Sequence, residues 1–235
     1  MLYLERKRKQ MNKRLIYRKL KNRNNWLVVC LLLLSQVIFS QSIENLYVKM
    51  PDILNPTLSA QNRFELVEYV KAHKGDSIEN RFGKQAHLLV LDTLNKRIVV
   101  QNTPTSVFEM KVNNLKNGKP YIGIIRTICA PICNSVVEFY DTAWNAIPIQ
   151  FTMPKAVEWV DLRKIKKDIV DINWVKKTSE ISFVTLSFSD KNNEIVAKNN
   201  SFEFLSEVDR KTILPFVFNQ QFKYRLVDKT WIRTK

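Results

Sequence analysis

The stretch SVFEMKV at residues 106–112 alternates apolar and polar side chains from Phe108 to its end. Successive side chains of a strand point to opposite faces, so the apolar set that begins at Phe108 would face one side. Glu109 and Lys111 would then face the other. This alternation is typical of a strand that buries one face and leaves the other in water.

Short strands of the same kind recur from residue 86 onward, with polar turn residues between them. They predict an α+β fold, built of antiparallel sheet units with a few short helices packed on one side. The other strand segments are HLLVLD (87–92), RIVVQN (97–102), YIGIIRTIC (121–129), SVVEFYD (135–141), ISFVTLSF (181–188), NSFEFL (200–205) and QFKYRLVD (221–228).

Helical patterns occur at residues 58–70, more weakly near 160–170, and at 205–214. The first and the last share an outline, LSAQNRFELVEYV and LSEVDRKTIL, and form a partial internal repeat at an offset of 147 residues. The repeat aligns Arg63 with Arg210. Apolar residues of both copies fall on one helix face, which predicts that both helices pack against the sheet.

The two copies of the repeat also share a helix start signal. Ser59 and Ser206 stand where a helix N-cap is expected, and Asn62 and Asp209 follow three residues later, as in a capping box. The second copy continues as LSEVDRKTILPFV, so that the repeated pattern includes a proline at residue 215. Because proline is not accommodated in a helix interior, that helix should end near Ile213 or kink there.

The first 40 residues have the composition of a signal peptide. A basic run precedes an apolar segment at residues 26–40, which is shorter than the roughly 20 apolar residues that a membrane-spanning helix needs. Cleavage between Ser40 and Gln41 would release the mature chain. The alternative is an uncleaved single-pass anchor with its basic side in the cytoplasm. Initiation at Met11 would shorten the basic run.

Two structural units are predicted after the signal peptide. The remaining length can bury a sizeable core without metals or many disulfides. We place a first α+β unit at residues 41–153 and a second, smaller α+β unit at residues 154–235.

The charge of the chain depends strongly on the signal segment. That segment holds 10 of the 38 Lys and Arg residues and one of the 22 Asp and Glu residues, so its removal lowers the formal charge from +16 to +7. This moderate excess predicts no nucleic-acid partner. One basic patch remains, which is either a solvated helix face or a surface attracted to anionic lipid or lipopolysaccharide. It contains Arg163, Lys164, Lys166 and Lys167.

Cys129 and Cys133 are the two cysteines of the predicted mature chain. On one continuous strand they would lie roughly 13 Å apart, but Pro131 disfavours a continuous strand. If residues 130–132 form a hairpin loop, the cysteines face each other at about 4.5–5.5 Å between Cα atoms, which is compatible with a disulfide. Export favours oxidation. Two free thiols or a redox-active pair are the alternatives.

Signatures of catalytic, cofactor and metal sites are missing from the predicted mature sequence. Its two histidines, His73 and His87, show no metal-ligand spacing, and its glycines form no phosphate-binding loop or dinucleotide fingerprint. No serine nucleophile elbow occurs. We therefore assign no catalytic, cofactor-binding or metal residues.

Three segments match the pattern Asp, then Ser or Thr, then an apolar residue, which resembles the acceptor of general O-glycosylation in some Gram-negative bacteria. The candidate acceptors are Ser77, Thr93 and Thr142. Asp and Ser or Thr also favour turns because their side chains bond to nearby backbone. Both interpretations fit the predicted element ends.

The sequence from Met50 onward resembles a family of secreted Gram-negative proteins, known as domain of unknown function 3256. The resemblance implies an exported or envelope protein and supplies no catalytic residues. This sequence departs from many members after its first cysteine, where Ala130 leads to Pro131 and Cys133. The segments that carry the resemblance are MPDILNPTLSAQNR (50–63), NRFG (80–83), VFEMKV (107–112), RTICAP and SVVEFYDTAWN (126–145) and FLSEVDRKTILPF (204–216).

These observations favour an exported protein of the periplasm or cell envelope, or a secreted one. We expect a non-catalytic binding or structural module whose partner is an envelope protein or a surface polymer. The membrane would be contacted only through an uncleaved signal segment. The alternative is an enzyme or an enzyme inhibitor whose site is not visible in the sequence.

Overall fold

The computed structural model describes residues 42–166, 170–190 and 192–234. The predicted signal segment lies outside them, together with Met11, Ser40 and Gln41. Within the described part, no helix has the length and apolar character needed to cross a membrane.

Four α-helices and ten strands make up the regular structure of the described residues. The helices are α1 (Ile43–Lys49), α2 (Ala60–Lys71), α3 (Ile172–Thr178) and α4 (Glu207–Ile213). The strands are β1 (Ser77–Glu79), β2 (Gln85–Asp92), β3 (Arg97–Thr103), β4 (Ser106–Asn114), β5 (Pro120–Cys129), β6 (Cys133–Tyr140), β7 (Val184–Phe188), β8 (Glu194–Asn199), β9 (Phe222–Val227) and β10 (Thr230–Arg233).

The strands form two antiparallel sheets. Strands β1 to β6 make a six-stranded sheet in which each strand pairs with the next. The second sheet has the order β10-β9-β8-β7. Several neighbouring strands are joined by short polar turns, as where the Asn95 N–H donates to Asp92 Oδ1 at 2.8 Å between β2 and β3, whereas residues 200–221 join β8 to β9. The predicted α+β class with antiparallel sheet units is confirmed.

Strand β4 has both faces buried, so the expectation of a half-exposed strand is wrong. Phe108 and Met110 are 0% exposed and belong to a core shared with α1 and α2. Glu109 and Lys111 point the other way, as the alternation predicts, yet they are only 5% and 3% exposed. The alternation of side chains correctly predicts which face of β4 each residue occupies. It contains no information on the second sheet, which covers the polar face.

Strand β7 connects the two sheets by crossing the six-stranded one. The Leu186 N–H donates to Ser135 Oγ of β6 at 3.0 Å, and the Phe188 N–H donates to Glu109 Oε1 of β4 at 3.0 Å. The Phe188 ring covers Gly123 of β5, where a Cβ atom would come within 2.6 Å of the ring. Side chains of the first sheet thus satisfy backbone donors of β7 that do not pair with β8.

Residues on both sides of the predicted boundary after residue 153 contribute to one core. Phe139 of β6 stacks on Trp231 of β10, with ring centroids 6.0 Å apart. Val175 of α3 and Ile213 of α4 belong to the same buried cluster as Phe139. Contacts group residues 42–235 into one compact unit.

The two helices of the internal repeat begin as predicted. Ser59 Oγ accepts the Asn62 N–H at 3.1 Å, and the Asn62 side chain accepts the Ser59 N–H in return, which completes a capping box. Ser206 Oγ accepts the Asp209 N–H at 3.1 Å. Helix α4 ends at Ile213, two residues before the proline, so the predicted stop is confirmed as well.

Several element assignments differ from the sequence predictions. Residues 200–205 were expected to form a strand, but Ser201–Phe204 is a 3₁₀ helix, because Asn199 Oδ1 accepts the Ser201 N–H and turns the chain. The described part of the helix expected near 160–170 contains only the short 3₁₀ turn Leu162–Lys164, which the Asp161 side chain caps. Helices α1 and α3 and strands β1, β8 and β10 were not anticipated.

Candidate functional site

An open groove lies at the end of the second sheet, and we call it the C-terminal groove. Its volume is about 710 Å³. Its walls come from the end of β8, the following 3₁₀ helix, α4, residues 214–221 and the start of β9. The lining residues are Trp159, Lys198, Asn199, Asn200, Phe202, Glu203, Arg210, Leu214, Val217, Phe218, Asn219, Gln220, Gln221 and Lys223.

The floor of the C-terminal groove is held by Trp159. This side chain is 1% exposed and stacks on Phe222, with ring centroids 3.9 Å apart and planes within 10°. Its Nε1–H donates to the Gln220 carbonyl at 2.9 Å, and its own carbonyl accepts the Phe218 N–H at 2.7 Å. The indole therefore fixes the wall segment 217–221 and is not itself accessible for stacking on a ligand.

Amide side chains form much of the groove surface. Asn219, Gln220 and Gln221 are exposed, and each amide can donate and accept hydrogen bonds. Asn200 is buried instead, because its Nδ2 donates to the Cys133 carbonyl at 3.0 Å and to a β7 hydroxyl at 3.2 Å. The groove therefore presents several free amides on a wall anchored to the first sheet.

Three exposed cations line the groove, namely Lys198, Arg210 and Lys223. None of them belongs to an ion pair among the described residues. Glu203 is the one carboxylate among the described lining residues. Their formal charges sum to +2, so the groove attracts negative charge.

Two buried charged clusters of the described chain are engaged in structural contacts, and the first surrounds Arg63. Arg63 of α2 is 0% exposed, and its guanidinium donates to backbone carbonyls of Tyr47, Val48, Met50 and Leu58. It also pairs with Asp52 at 3.1 Å. Arg63 thus ties the N-terminal segment to α2 and keeps no donor for a ligand.

A second buried cluster lies between the two sheets. Arg97 Nε donates to Glu109 Oε1 at 2.7 Å, and Lys111 Nζ donates to the carbonyls of Ser189 and Asn192. Burial raises the pKa of Glu109, although Arg97 opposes the shift. These groups hold β7 and the loop after it on β4, so they act in packing.

The predicted cysteine pair lies at the tip of the β5–β6 hairpin. Cys129 and Cys133 occupy opposing positions in the strand register, and a disulfide joins them. Residues 130–132 form the loop, with a cis peptide bond before Pro131. The Cys133 carbonyl accepts from Asn200, so this hairpin tip supports one wall of the C-terminal groove.

The candidate acceptors for glycosylation occupy different environments. Ser77 is half-buried within β1, and Thr142 is half-buried in the turn after β6. Thr93 is exposed in the β2–β3 turn, next to Leu94, which is 92% exposed. Of the three, Thr93 is the most accessible hydroxyl.

The remaining sequence features do not converge on a site. Within the described chain, no group of three or more His, Cys, Asp or Glu side chains could hold a metal ion. In the basic patch, Arg163 pairs with Asp161 at 2.9 Å, and the hydrogen bond from Arg163 lowers the pKa of Asp161. Lys164 and Lys166 are exposed, whereas Lys167 lies outside the described residues.

Sequence reasoning did not find the C-terminal groove because its walls come from segments spread between Trp159 and Lys223. Taken alone, each wall segment has the sequence of an ordinary helix, loop or strand end. One signal was available, since the internal repeat aligned Arg210 with Arg63. That alignment did not reveal that one arginine would be buried and the other exposed.

Comparison with known proteins places the chain in a family. The sequence profile of the family described as Protein of unknown function (DUF3256) matches residues 35–231. The chain belongs to this family. A solved structure, described as a domain of an uncharacterized protein from Porphyromonas gingivalis W83, has a TM-score of 0.68 at 17% identity. The match covers 82% of this chain and 97% of that chain, which shows a shared fold. The search of curated proteins found no match.

The resemblance noted from the sequence to DUF3256 is thereby confirmed. The family description carries no activity. The function is therefore argued from the C-terminal groove of this family member.

Proposed function

We propose that the protein is an exported, non-catalytic module of the cell envelope that binds a surface polysaccharide in the C-terminal groove. The observation that carries the proposal is an open groove of about 710 Å³ that presents exposed amides and three cations without an ion pair among the described residues, on a fixed floor.

The surface chemistry of the groove suits a polysaccharide chain. Sugar hydroxyls both donate and accept hydrogen bonds, and so do the exposed amides of Asn219, Gln220 and Gln221. Since Trp159 and Phe222 hold the backbone of the wall segment, the positions from which these amides extend are fixed before a ligand binds. Closely spaced amides on a fixed backbone support binding of a repeating polar ligand.

The residue types of the groove favour binding over turnover. Hydrolysis of a glycosidic bond generally uses two carboxyl groups that flank the bond. Glu203 is the one carboxylate among the described residues of the lining. The groove therefore supports recognition better than acid–base chemistry.

Export is supported by features outside the groove. A basic run precedes an apolar segment in the first 40 residues, which is the composition of a signal peptide. The disulfide between Cys129 and Cys133 suits an oxidising compartment. N-terminal sequencing of the protein from envelope fractions is expected to begin at Gln41. An intact cytoplasmic chain that begins at Met1 or Met11 would contradict export.

Photo-cross-linking in the native cell tests the site. A photoreactive residue in place of Gln221 is expected to give a broad smear of heterogeneous polymer adducts that a glycan stain detects. The matched control carries the same residue in place of Lys84, which is exposed and outside the groove lining.

The result that overturns the proposal is a Gln221 sample without polymer adduct. A discrete protein adduct would show that the groove binds a protein partner and not a polysaccharide. Turnover of a hydrolase substrate that Glu203→Gln abolishes would replace the binding module by an enzyme. Equal polymer adducts at positions 221 and 84 would show that the polymer adheres to the protein surface without a specific site.

A further inference from the structure

We infer that the ligand of the C-terminal groove is an acidic polysaccharide, whose anionic groups are bound by Lys198, Arg210 and Lys223. This inference rests on the proposed function and adds the chemical class of the ligand. The first observation is that these three cations line one groove and belong to no ion pair among the described residues.

The cations stand on regular elements, so the groove presents them in a fixed arrangement. In the β8–β9 register Val196 pairs with Lys223, and Lys198 lies two residues further along β8 on the same face. Such diagonal neighbours have Cα atoms about 7–8 Å apart. Arg210 is contributed by α4, a separate element of the groove lining. The sheet and the helix therefore both contribute positive charge to the groove.

No described acid forms an ion pair with Arg210, although Glu207 and Asp209 lie on the same helix. Glu207 pairs with Lys211 at 2.6 Å, and Asp209 Oδ2 accepts from the Ser206 hydroxyl at 2.8 Å. Glu203 is the remaining acid of the groove and leaves a net positive charge. Charge complementarity with an anionic chain follows from this arrangement.

The same surface fits a polysaccharide better than other anionic polymers or a membrane. Single-stranded nucleic acids are bound by stacking bases on accessible aromatic rings. Of the three aromatic side chains in the groove lining, Trp159 and Phe202 are 1% and 6% exposed, and Phe218 is half-buried. The described lining therefore offers no fully exposed ring on which bases could stack. A lipid surface is bound through exposed apolar side chains beside the cations. Here five amide side chains line the groove beside the cations and match sugar hydroxyls, whereas Leu214 is the one exposed large apolar side chain among the described lining residues.

The anionic group can be a carboxylate, as in a uronic acid, or a phosphate or sulfate substituent. All three present charged oxygens, to which Arg and Lys donate. Arginine also offers a planar pair of donors that matches a carboxylate or phosphate. Separate binding measurements with polygalacturonate, a phosphorylated mannan and dextran sulfate distinguish carboxylate, phosphate and sulfate. Unmodified dextran serves as the uncharged control.

The test measures binding of these polymers to protein purified after expression of the full chain. The variant Lys198→Gln/Arg210→Gln/Lys223→Gln removes the three groove cations and keeps polar side chains. The matched control Lys49→Gln/Lys74→Gln/Lys84→Gln removes three exposed cations outside the groove lining. We expect the groove variant to bind at least one acidic polymer about tenfold more weakly and the control to bind within twofold, since exposed ion pairs contribute modestly one by one.

Each outcome decides one of the two claims. Equal binding of dextran and the acidic polymers, unchanged by salt and by the cation changes, overturns the acidic ligand and leaves the proposed function standing. Loss of binding in both variants shows a general charge effect and overturns the groove as the site. Binding of no polymer by the wild-type protein overturns the proposed function itself. Circular dichroism of the groove variant is expected to match the wild type, because its changed residues are exposed.

Discussion

Arg63 and Arg210 occupy equivalent positions in the two copies of the internal repeat, but their environments are opposite. Arg63 is buried and gives its donors to backbone carbonyls and Asp52. Arg210 is exposed on the wall of the C-terminal groove without an ion pair among the described residues. The same start signal and helix face therefore support either a structural clamp or a binding residue, depending on what the chain packs against each copy.

The largest expected effect comes from replacing each arginine with methionine. Arg63→Met should lower the free energy of unfolding by at least about 3 kcal/mol, because several buried carbonyls lose their donor. Arg210→Met should change it by less than about 0.5 kcal/mol, as exposed substitutions usually do. Urea denaturation measures both. A comparable loss in the two variants would contradict the assigned difference.

Glu109 tests whether buried charged side chains outside the groove serve to pack the two sheets together. Glu109→Leu should cost about 2–3 kcal/mol of unfolding free energy, since the Phe188 N–H and Arg97 lose their acceptor. Glu109→Gln keeps an acceptor oxygen and should cost less. Because burial raises the pKa of Glu109, its charged form is disfavoured in the folded state.

This pKa shift has a definite pH dependence. The stability that Glu109 contributes is present while it is protonated and is lost as the pH rises through its raised folded-state pKa. The free energy of unfolding of Glu109→Gln relative to wild type should therefore increase between pH 4 and pH 7, as measured by denaturation at each pH. A relative decrease would show that ion pairing with Arg97 outweighs burial.

The helix caps provide a smaller test of the repeat. Ser59→Ala should cost about 1 kcal/mol, because it removes one half of a complete capping box. Ser206→Ala should cost about 0.5 kcal/mol, since α4 is short and its start is exposed. Thermal denaturation followed by circular dichroism compares the two. A larger loss at Ser206 would mean that α4, rather than α2, is the more important helix for stability.

The smallest effect is expected at the exposed partner of Arg63. Burial would raise the pKa of Asp52, but hydrogen bonds and positive charge from Arg81 and Arg63 outweigh it and lower the pKa. A depressed pKa means that Asp52 stabilises the fold at neutral pH and loses this effect as the pH falls through its folded-state value. The stability difference between wild type and Asp52→Asn should therefore vanish in acid. A constant difference down to pH 2 would contradict this coupling.

Much of the fold could be predicted from local patterns. Alternation located most strands. The serine caps located the starts of α2 and α4, and Pro215 located the end of α4. Burial of Glu109 could not be predicted, because it depends on β7 crossing a strand 79 residues away in sequence. Local patterns describe a single element, whereas burial depends on its distant neighbours.

The candidate site could not be predicted from the sequence, because it too depends on residues that are distant in sequence. Lys198, Arg210 and Lys223 read as solvated charges in sequence, and only the packing of the groove brings them to one surface. Large aromatic residues that could serve as binding groups fill the core instead at several positions, as Trp159, Tyr121 and Trp231 do. The cysteine pair was the exception, because its two members lie within one hairpin whose register short-range spacing could indicate.

The most direct test of the account is a chemical-shift map. Isotope-labelled protein is titrated separately with oligogalacturonate, a phosphorylated mannan fragment and a sulfated dextran fragment, and amide shifts are followed residue by residue. With at least one of them, we expect shifts to concentrate at residues 198–203, at Arg210 and at residues 217–223, with none at Arg63. Shifts confined to other surfaces, or their absence with all three fragments at saturation, would contradict the assignment of the C-terminal groove as a binding site for an acidic polysaccharide.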